Sequence, residues 1–171
     1  MPYKNCDQFL KCIAHLKGEF PILKASIIGD GPNRKKLEDL TRELNLSEIV
    51  SFIGQVEQEQ LRPYYQGLDV LIVPSSNEPF GLVVLESVAC GTPAVVAKSG
   101  GLEELIQPPF IIGFEVNNIY DLKIKVTEVL GQVHDTGFGM ASNEYVRQQY
   151  SLRAYIQRLE EIYHLVIHNN C

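Results

Sequence analysis

Short apolar runs alternate along the chain with longer segments in which apolar residues recur every three or four positions. The apolar runs predict five strands, at 24–28, 49–53, 69–74, 94–97 and 110–116. The longer segments predict helices at 7–17, 33–45, 57–66, 81–90, 102–107, 119–133, 142–149 and 152–168. Strands that alternate with helices are typical of βαβ units, whose parallel sheet is covered on both faces. We therefore expect an α/β fold with a doubly wound parallel sheet and one domain over residues 1–171.

The chain opens on a helix, for which Asp7 is the predicted N-cap. No strand is predicted ahead of that helix, whereas a doubly wound half normally starts with one. Two further residues, Tyr64 and Tyr65, are interpreted as packing residues of the helix at 57–66.

Composition and charge exclude several classes of function. The chain has 171 residues, 45% of them hydrophobic, and a formal net charge of −6 with scattered Lys and Arg, so a nucleic-acid-binding surface is not expected. No apolar run approaches the roughly 20 residues that span a bilayer. The four cysteines form no Cys-x-x-Cys pair and have no histidine at metal-ligand spacing, which favours a reduced, cytoplasmic protein without a metal site.

Open parallel sheets bind ligands beyond the carboxyl ends of their strands, here the loops 29–33, 54–57, 74–81 and 98–102. One strand ends at Pro74, and a polar loop then leads into a helix that begins near Gly81. The first turn of a helix has unpaired N–H groups and a partial positive charge, and Gly81 carries no side chain to block a ligand there, so a diphosphate is a natural occupant. Glu86, one to two turns further on, can accept from two vicinal hydroxyls, and Glu78 can face a sugar.

Three segments in this order identify a family: 69–75, 78–86 with the sequence EPFGLVVLE, and 89–95 with ACGTPAV. They resemble the carboxyl-terminal domain of family-4 retaining glycosyltransferases of the GT-B type, whose sheet is Rossmann-like. The segments 28–32, 50–54 and 100–104 also fall in the family's order and spacing. The resemblance covers roughly residues 3–167, and its combined motifs are far more specific than any one of them.

The resemblance implies transfer of a hexosyl-type sugar from a nucleotide diphosphate sugar, with retention of configuration, in polysaccharide or glycoconjugate biosynthesis. It implies that Glu86 binds the ribose and that Glu78 contacts the donor sugar or supports charge at its anomeric centre. The main-chain N–H groups of Gly81, Leu82 and Val83 would hold the distal phosphate.

The same resemblance assigns the other side of the cleft. Lys4 would contact the diphosphate and stabilise the leaving charge, so that Lys4 and Glu78 are the implied catalytic residues. Gly29 and Gly31 would line the donor cleft, and the chain at Gly54–Val56 would edge the nucleobase. Neither a metal nor a cofactor is implied, because cationic side chains and the helix start replace the metal.

This sequence departs from the family in two respects. The family has a central strand just before Lys4, ending in Gly-Arg, and an amino-terminal domain that supplies the acceptor site. We expect the missing strand to leave unpaired backbone groups in the sheet, and the isolated chain to transfer no sugar. The missing domain is the expected partner, and through it the enzyme could reach the cytoplasmic membrane surface.

Several alternatives stay open at this point. The apolar stripe of the terminal helix, within 151–171, packs either on the domain's own sheet or, by crossing over, on the missing domain. The chain is either the donor-binding part of a transferase or a non-catalytic nucleotide-sugar-binding or interaction module; a GT-B epimerase or phosphorylase is a third possibility. The nucleobase, the sugar and the acceptor are left open.

Overall fold

The structure is a computed structural model that describes residues 4–132 and 136–168. Its five strands are β1 (Ala25–Ile28), β2 (Val50–Gly54), β3 (Leu71–Val73), β4 (Ala94–Ala97) and β5 (Ile111–Phe114). Its helices are α1 (Cys6–Leu16), α2 (Arg34–Glu43), α3 (Leu61–Gln66), α4 (Leu82–Ala89), α5 (Gly101–Glu104), α6 (Ile119–Leu130), α7 (Thr136–Tyr150) and α8 (Leu152–His168). Strands and helices alternate as far as α6, which confirms the predicted α/β fold.

All the strand pairs of the described chain are parallel. β3, β4 and β5 form one sheet, in which Val95 of β4 lies opposite Ile72 and Ile112. The four residues of β4 are all buried, as expected for a strand with neighbours on both sides and helices on both faces. This short apolar run is therefore the centre of the sheet.

The other two strands form a separate sheet, in which β1 pairs with β2. Within the described residues, no strand joins β1 to β3, so the five strands form two sheets and not one continuous sheet. Both sheets contribute to one apolar core, and α1 covers it by packing against α2 and α6 with Leu10 and Leu16 fully buried. The helix layer is thus continuous although the sheet is not.

The starts of two helices differ from the prediction. Asp7 does not cap α1, because the N-cap is Asn5 in the left-handed conformation, and Asp7 lies in the first turn, 2.9 Å from Lys11. The segment at 57–66 splits into a 3₁₀ turn, Gln58–Gln60, and α3. Pro63 is tolerated because it lies in the first turn of α3, where a backbone N–H would have no acceptor within the helix.

The chain after α6 forms two long helices. α7 begins at Thr136, six residues before the predicted start, since its two early glycines disguise the helical pattern. One of them, Gly139, lies beside Gly91, which follows α4, and a Cβ added at Gly91 would lie 3.3 Å from the Gly139 Cα. Gly91 is therefore the glycine that allows α7 to approach the end of α4 closely. The last residue of the helix predicted at 119–133 lies outside the described residues.

The terminal helix α8 packs on α7, and its apolar stripe does not lie on the sheet. The stripe is exposed, with exposed fractions of 74% at Leu152, 59% at Tyr155 and 62% at Tyr163. Packing on the domain's own sheet, the first of the two interpretations, is therefore wrong. No helix in the described ranges has the length and apolarity needed to cross a membrane.

Candidate functional site

The loop between β3 and α4 is fixed by the loop that follows β4. The Ser99 hydroxyl donates to the Ser75 carbonyl at 2.7 Å, and the Gly101 N–H donates to the Glu78 carbonyl at 2.9 Å. A Cβ on Gly101 would lie 2.1 Å from the Pro79 carbonyl oxygen, so only glycine allows this approach. The two loops are therefore one packed unit at the carboxyl edge of the sheet.

Gly81 is the N-cap of α4 and adopts the left-handed conformation, with φ of 67°. A Cβ at this position would come within 2.8 Å of the Leu102 and Leu105 side chains, which lie in the protein interior. Glycine is therefore required by backbone conformation and packing, whereas the sequence prediction attributed it to the approach of a ligand. In the described part of the chain, the N–H groups of Gly81, Leu82 and Val83 have no backbone acceptor, as is usual for a first helical turn.

Lys4 and Glu78 lie together at the same edge. The Lys4 ammonium is 2.5 Å from Glu78 Oε2, and the side chain of Glu78 is only 15% exposed. The neighbouring Asn5 side chain donates to the Pro74 carbonyl at 2.9 Å, which ties the start of α1 to the end of β3. Lys4 thus offsets the negative charge of a largely buried carboxylate.

Glu86 is held by two residues that precede β3. The Tyr65 hydroxyl donates to Glu86 Oε2 at 2.8 Å, and the Gln58 amide donates to Glu86 Oε1 at 3.4 Å. The interpretation of Tyr65 as a packing residue is confirmed, because the residue is 7% exposed, and its hydroxyl in addition binds the carboxylate predicted to hold a ribose. Tyr64, in contrast, is 38% exposed.

Gly29, which follows β1, meets Gly54, the last residue of β2. The Gly29 N–H donates to the Gly54 carbonyl at 2.7 Å, and both residues have positive φ, 114° and 84°. Gly31 is exposed, and its N–H is 2.7 Å from Asp30 Oδ1, within a tight turn. Val56 is half-buried two residues after Gly54. These loops lie at the carboxyl ends of β1 and β2, as predicted.

The structure groups the predicted residues into two sets. Lys4 and Glu78 form one contact, and Gly29 and Gly54 form another. Gln58 connects the chain after β2 to Glu86, since it lies four residues after Gly54 and its side-chain amide donates to the Glu86 carboxylate. Among the described residues, no group of His, Cys, Asp or Glu could hold a metal ion.

Sequence reasoning missed Asn5, Gln58, Tyr65 and Ser99 as residues that shape the site. Tyr65 is 21 positions from Glu86, and Asn5 is 69 positions from Pro74. No local pattern signals such contacts, because helical and strand periodicities relate only residues a few positions apart.

Comparison with known proteins places the chain in a family. The profile of the family described as "Glycosyl transferases group 1" matches residues 1–133. The chain is 43% identical over 97 residues to an uncharacterized glycosyltransferase of Methanocaldococcus jannaschii, covering 57% of this chain and 23% of that protein. It is 37% identical over 110 residues to a D-inositol 3-phosphate glycosyltransferase of Streptomyces bingchenggensis, covering 59% and 24%.

Solved structures extend the likeness to nearly the whole chain. Sucrose-phosphate synthase from Thermosynechococcus elongatus superposes with a TM-score of 0.81 at 26% identity, over 99% of this chain and 44% of that one. The Anabaena protein HepE, solved in complex with UDP, superposes with a TM-score of 0.79 at 22% identity, over 95% and 45%.

The chain spans about a quarter of the length of the curated relatives that it matches. Its parallel α/β architecture matches that of GT-B glycosyltransferases, and the family profile covers well over half of its residues. The chain therefore belongs to the glycosyl transferases group 1 family.

Proposed function

We propose that this chain is the donor-binding domain of a retaining, family-4 transferase and that it binds a nucleotide diphosphate sugar. The observation that carries the proposal is the convergence of Lys4 and the start of α4 on the loop of Glu78. An ammonium group and unpaired N–H groups at one loop suit a diphosphate, whose oxygens accept from both. Glu86, held within α4, supplies an acceptor for ribose hydroxyls beyond that diphosphate.

The ion pair between Lys4 and Glu78 gives each residue a part in the proposed cycle. A diphosphate competes with Glu78 for the Lys4 ammonium, and the released carboxylate then contacts the sugar. In the transfer step, the acceptor hydroxyl attacks the anomeric carbon on the face from which the nucleotide leaves. The bond from that carbon to the distal phosphate breaks, and the phosphate takes the proton of the attacking hydroxyl. Lys4 and the N–H groups of Gly81, Leu82 and Val83 stabilise the negative charge on the leaving diphosphate.

The comparisons support the nucleotide part of this proposal. The HepE structures were solved with UDP, one of them also with glucose, which makes uridine diphosphate the first nucleotide to test. The relatives are about four times longer than the matched region, so we assign the acceptor site to further sequence of the kind that they have. The hexosyl specificity, the retention of configuration and a cytoplasmic location are parts of the same proposal.

A titration with uridine, adenosine and guanosine diphosphates tests the proposal. Glu86→Ala removes an acceptor of charge-assisted hydrogen bonds worth about 1.5–3 kcal/mol, so the Kd of the preferred nucleotide should rise at least about tenfold. The matched control is Glu160→Gln, which removes a carboxylate from the exposed face of α8 and should leave the Kd unchanged.

Two results would contradict the proposal. One is that none of the three nucleotides binds to the wild-type chain. The other is that Glu86→Ala binds the preferred nucleotide as tightly as the wild-type chain does, which would remove Glu86 from the ribose site.

A further inference from the structure

Two adjacent tyrosines of α3 differ sharply in their surroundings. Tyr64 is 38% exposed, whereas Tyr65 is 7% exposed and directs its hydroxyl at Glu86. The hydroxyl oxygen lies 2.8 Å from Glu86 Oε2, a normal length for a hydrogen bond to a carboxylate. Because the Tyr65 ring is buried in α3, its hydroxyl holds the Glu86 carboxylate of α4 in one position.

The backbone of Tyr65 is itself anchored. The hydroxyl of the buried Thr92, two residues before β4, donates to the Tyr65 carbonyl at 2.6 Å. Burial, and then the hydrogen bond to Glu86, raise the pKa of Tyr65 well above its ordinary value, so that the hydroxyl keeps its proton and remains a donor. The contact is therefore a stable part of the fold at neutral pH.

The two carboxylate oxygens of Glu86 have unequal surroundings. Oε2 is bound by the buried Tyr65 hydroxyl at 2.8 Å, while Oε1 has the longer contact, 3.4 Å, with the exposed Gln58 amide. Each carboxylate oxygen has two acceptor positions, so one donor on Oε2 leaves capacity for a ligand on both atoms. Oε1 is the oxygen that a ligand reaches without displacing a buried donor.

We propose that Tyr65 is a positioning residue, whose hydroxyl orients the Glu86 carboxylate so that it accepts from the 2′ and 3′ hydroxyls of a bound nucleotide. This inference rests on the proposed function. Tyr65 does not touch the nucleotide, and it acts by removing the rotational freedom of the Glu86 side chain before the ligand arrives. Without the hydroxyl, the carboxylate must be ordered on binding, which costs affinity for ribose but not for the rest of the nucleotide.

Tyr65→Phe tests the inference, because it removes the hydroxyl and keeps the buried ring. Binding is measured with uridine, adenosine and guanosine diphosphates and with their 2′,3′-dideoxy analogues, using the pair that binds most tightly. We expect Tyr65→Phe to raise the Kd of the ribonucleotide about 3- to 10-fold, since ordering one side chain costs about that much. The Kd of the dideoxy analogue should change by less than about twofold, since no ribose hydroxyl is there to be held.

Two variants serve as controls. Tyr64→Phe removes the hydroxyl of the exposed neighbour and should leave both affinities unchanged. Glu86→Ala should abolish the preference for the ribonucleotide over its dideoxy analogue. Thermal unfolding of each variant, measured alongside, identifies any loss that comes from the fold.

The outcomes separate the inference from the function on which it rests. If Glu86→Ala retains the full ribose preference, the ribose assignment itself fails. If Glu86→Ala abolishes the preference while Tyr65→Phe keeps it, the positioning role alone is wrong. An equal loss for both nucleotides in Tyr65→Phe would make the hydroxyl a structural group only, and would also overturn the inference.

Discussion

Replacing Gly101 by alanine would add a Cβ that lies 2.1 Å from the Pro79 carbonyl oxygen and 2.7 Å from the Pro79 carbonyl carbon. Both neighbours are backbone atoms, so they cannot move aside as the end of a flexible side chain can. To reach a separation of 3.0 Å, the two loops must part by about 0.9 Å, the difference between 3.0 and 2.1 Å. Overpacking of this kind costs about 1–3 kcal/mol.

The displaced loop is the one that carries Glu78. The Gly101 N–H donates to the Glu78 carbonyl, and the Glu78 side chain pairs with Lys4 at 2.5 Å. A shift of this size exceeds the ~0.5 Å within which binding groups must be held. Gly101→Ala should therefore weaken the binding of the preferred nucleoside diphosphate as well as destabilise the fold.

Thermal unfolding and a nucleotide titration measure the two effects. For a chain of this length, the cost corresponds to a fall in Tm of about 2–12 °C. Gly18→Ala is the matched control, because a Cβ there meets no atom within 4 Å and the change should be neutral or slightly stabilising. If Gly101→Ala melts within about 1 °C of Gly18→Ala, the contact between the two loops does not constrain the fold as argued.

Two further predictions concern the core of the domain. Burial raises the pKa of Cys12 from 9.0 to about 12, so between these pH values the unfolded thiol has lost a proton that the folded one keeps. The free energy of unfolding that depends on this thiol is then fully present below pH 9 and falls as the pH rises toward 12. Cys12→Ala should reduce the slope of the free energy of unfolding against pH in this range by up to about 1.4 kcal/mol per pH unit. Urea unfolding at several pH values measures the slope, and an unchanged slope would contradict this prediction. Leu46→Ala should lower the free energy of unfolding by about 2–5 kcal/mol, because Leu46 is 0% exposed and its removal leaves a cavity. Ile22→Ala, at a residue that is 92% exposed, should change it by less than about 0.5 kcal/mol, and equal losses in the two variants would refute the assignment of Leu46 to the core.

The fold class, the strand positions and the loops that form the candidate site could be predicted from the sequence. Apolar runs marked β1 to β5 to within a few residues, because burial on both faces leaves a continuous apolar pattern. The order of strand, polar loop and helix at 69–90 placed Glu78 in the loop after β3, Gly81 at the start of α4 and Glu86 within α4, as the structure has them. These features depend on neighbours in the chain, which a pattern along the sequence records.

Other features were decided only by the tertiary structure. The contacts between Lys4 and Glu78 and between Tyr65 and Glu86 join residues 74 and 21 positions apart, and no periodicity connects such pairs. The exposure of the α8 stripe likewise depends on which surfaces lie beside it, since the same pattern fits packing on the sheet or on another domain. The requirement for Gly81 was recognised for the wrong reason, because only the folded chain places Leu102 and Leu105 within 2.8 Å of its missing Cβ. The sequence thus determined which elements form and which loops lie at the carboxyl edge of the sheet, and the packing of distant residues determined how that edge is held in shape.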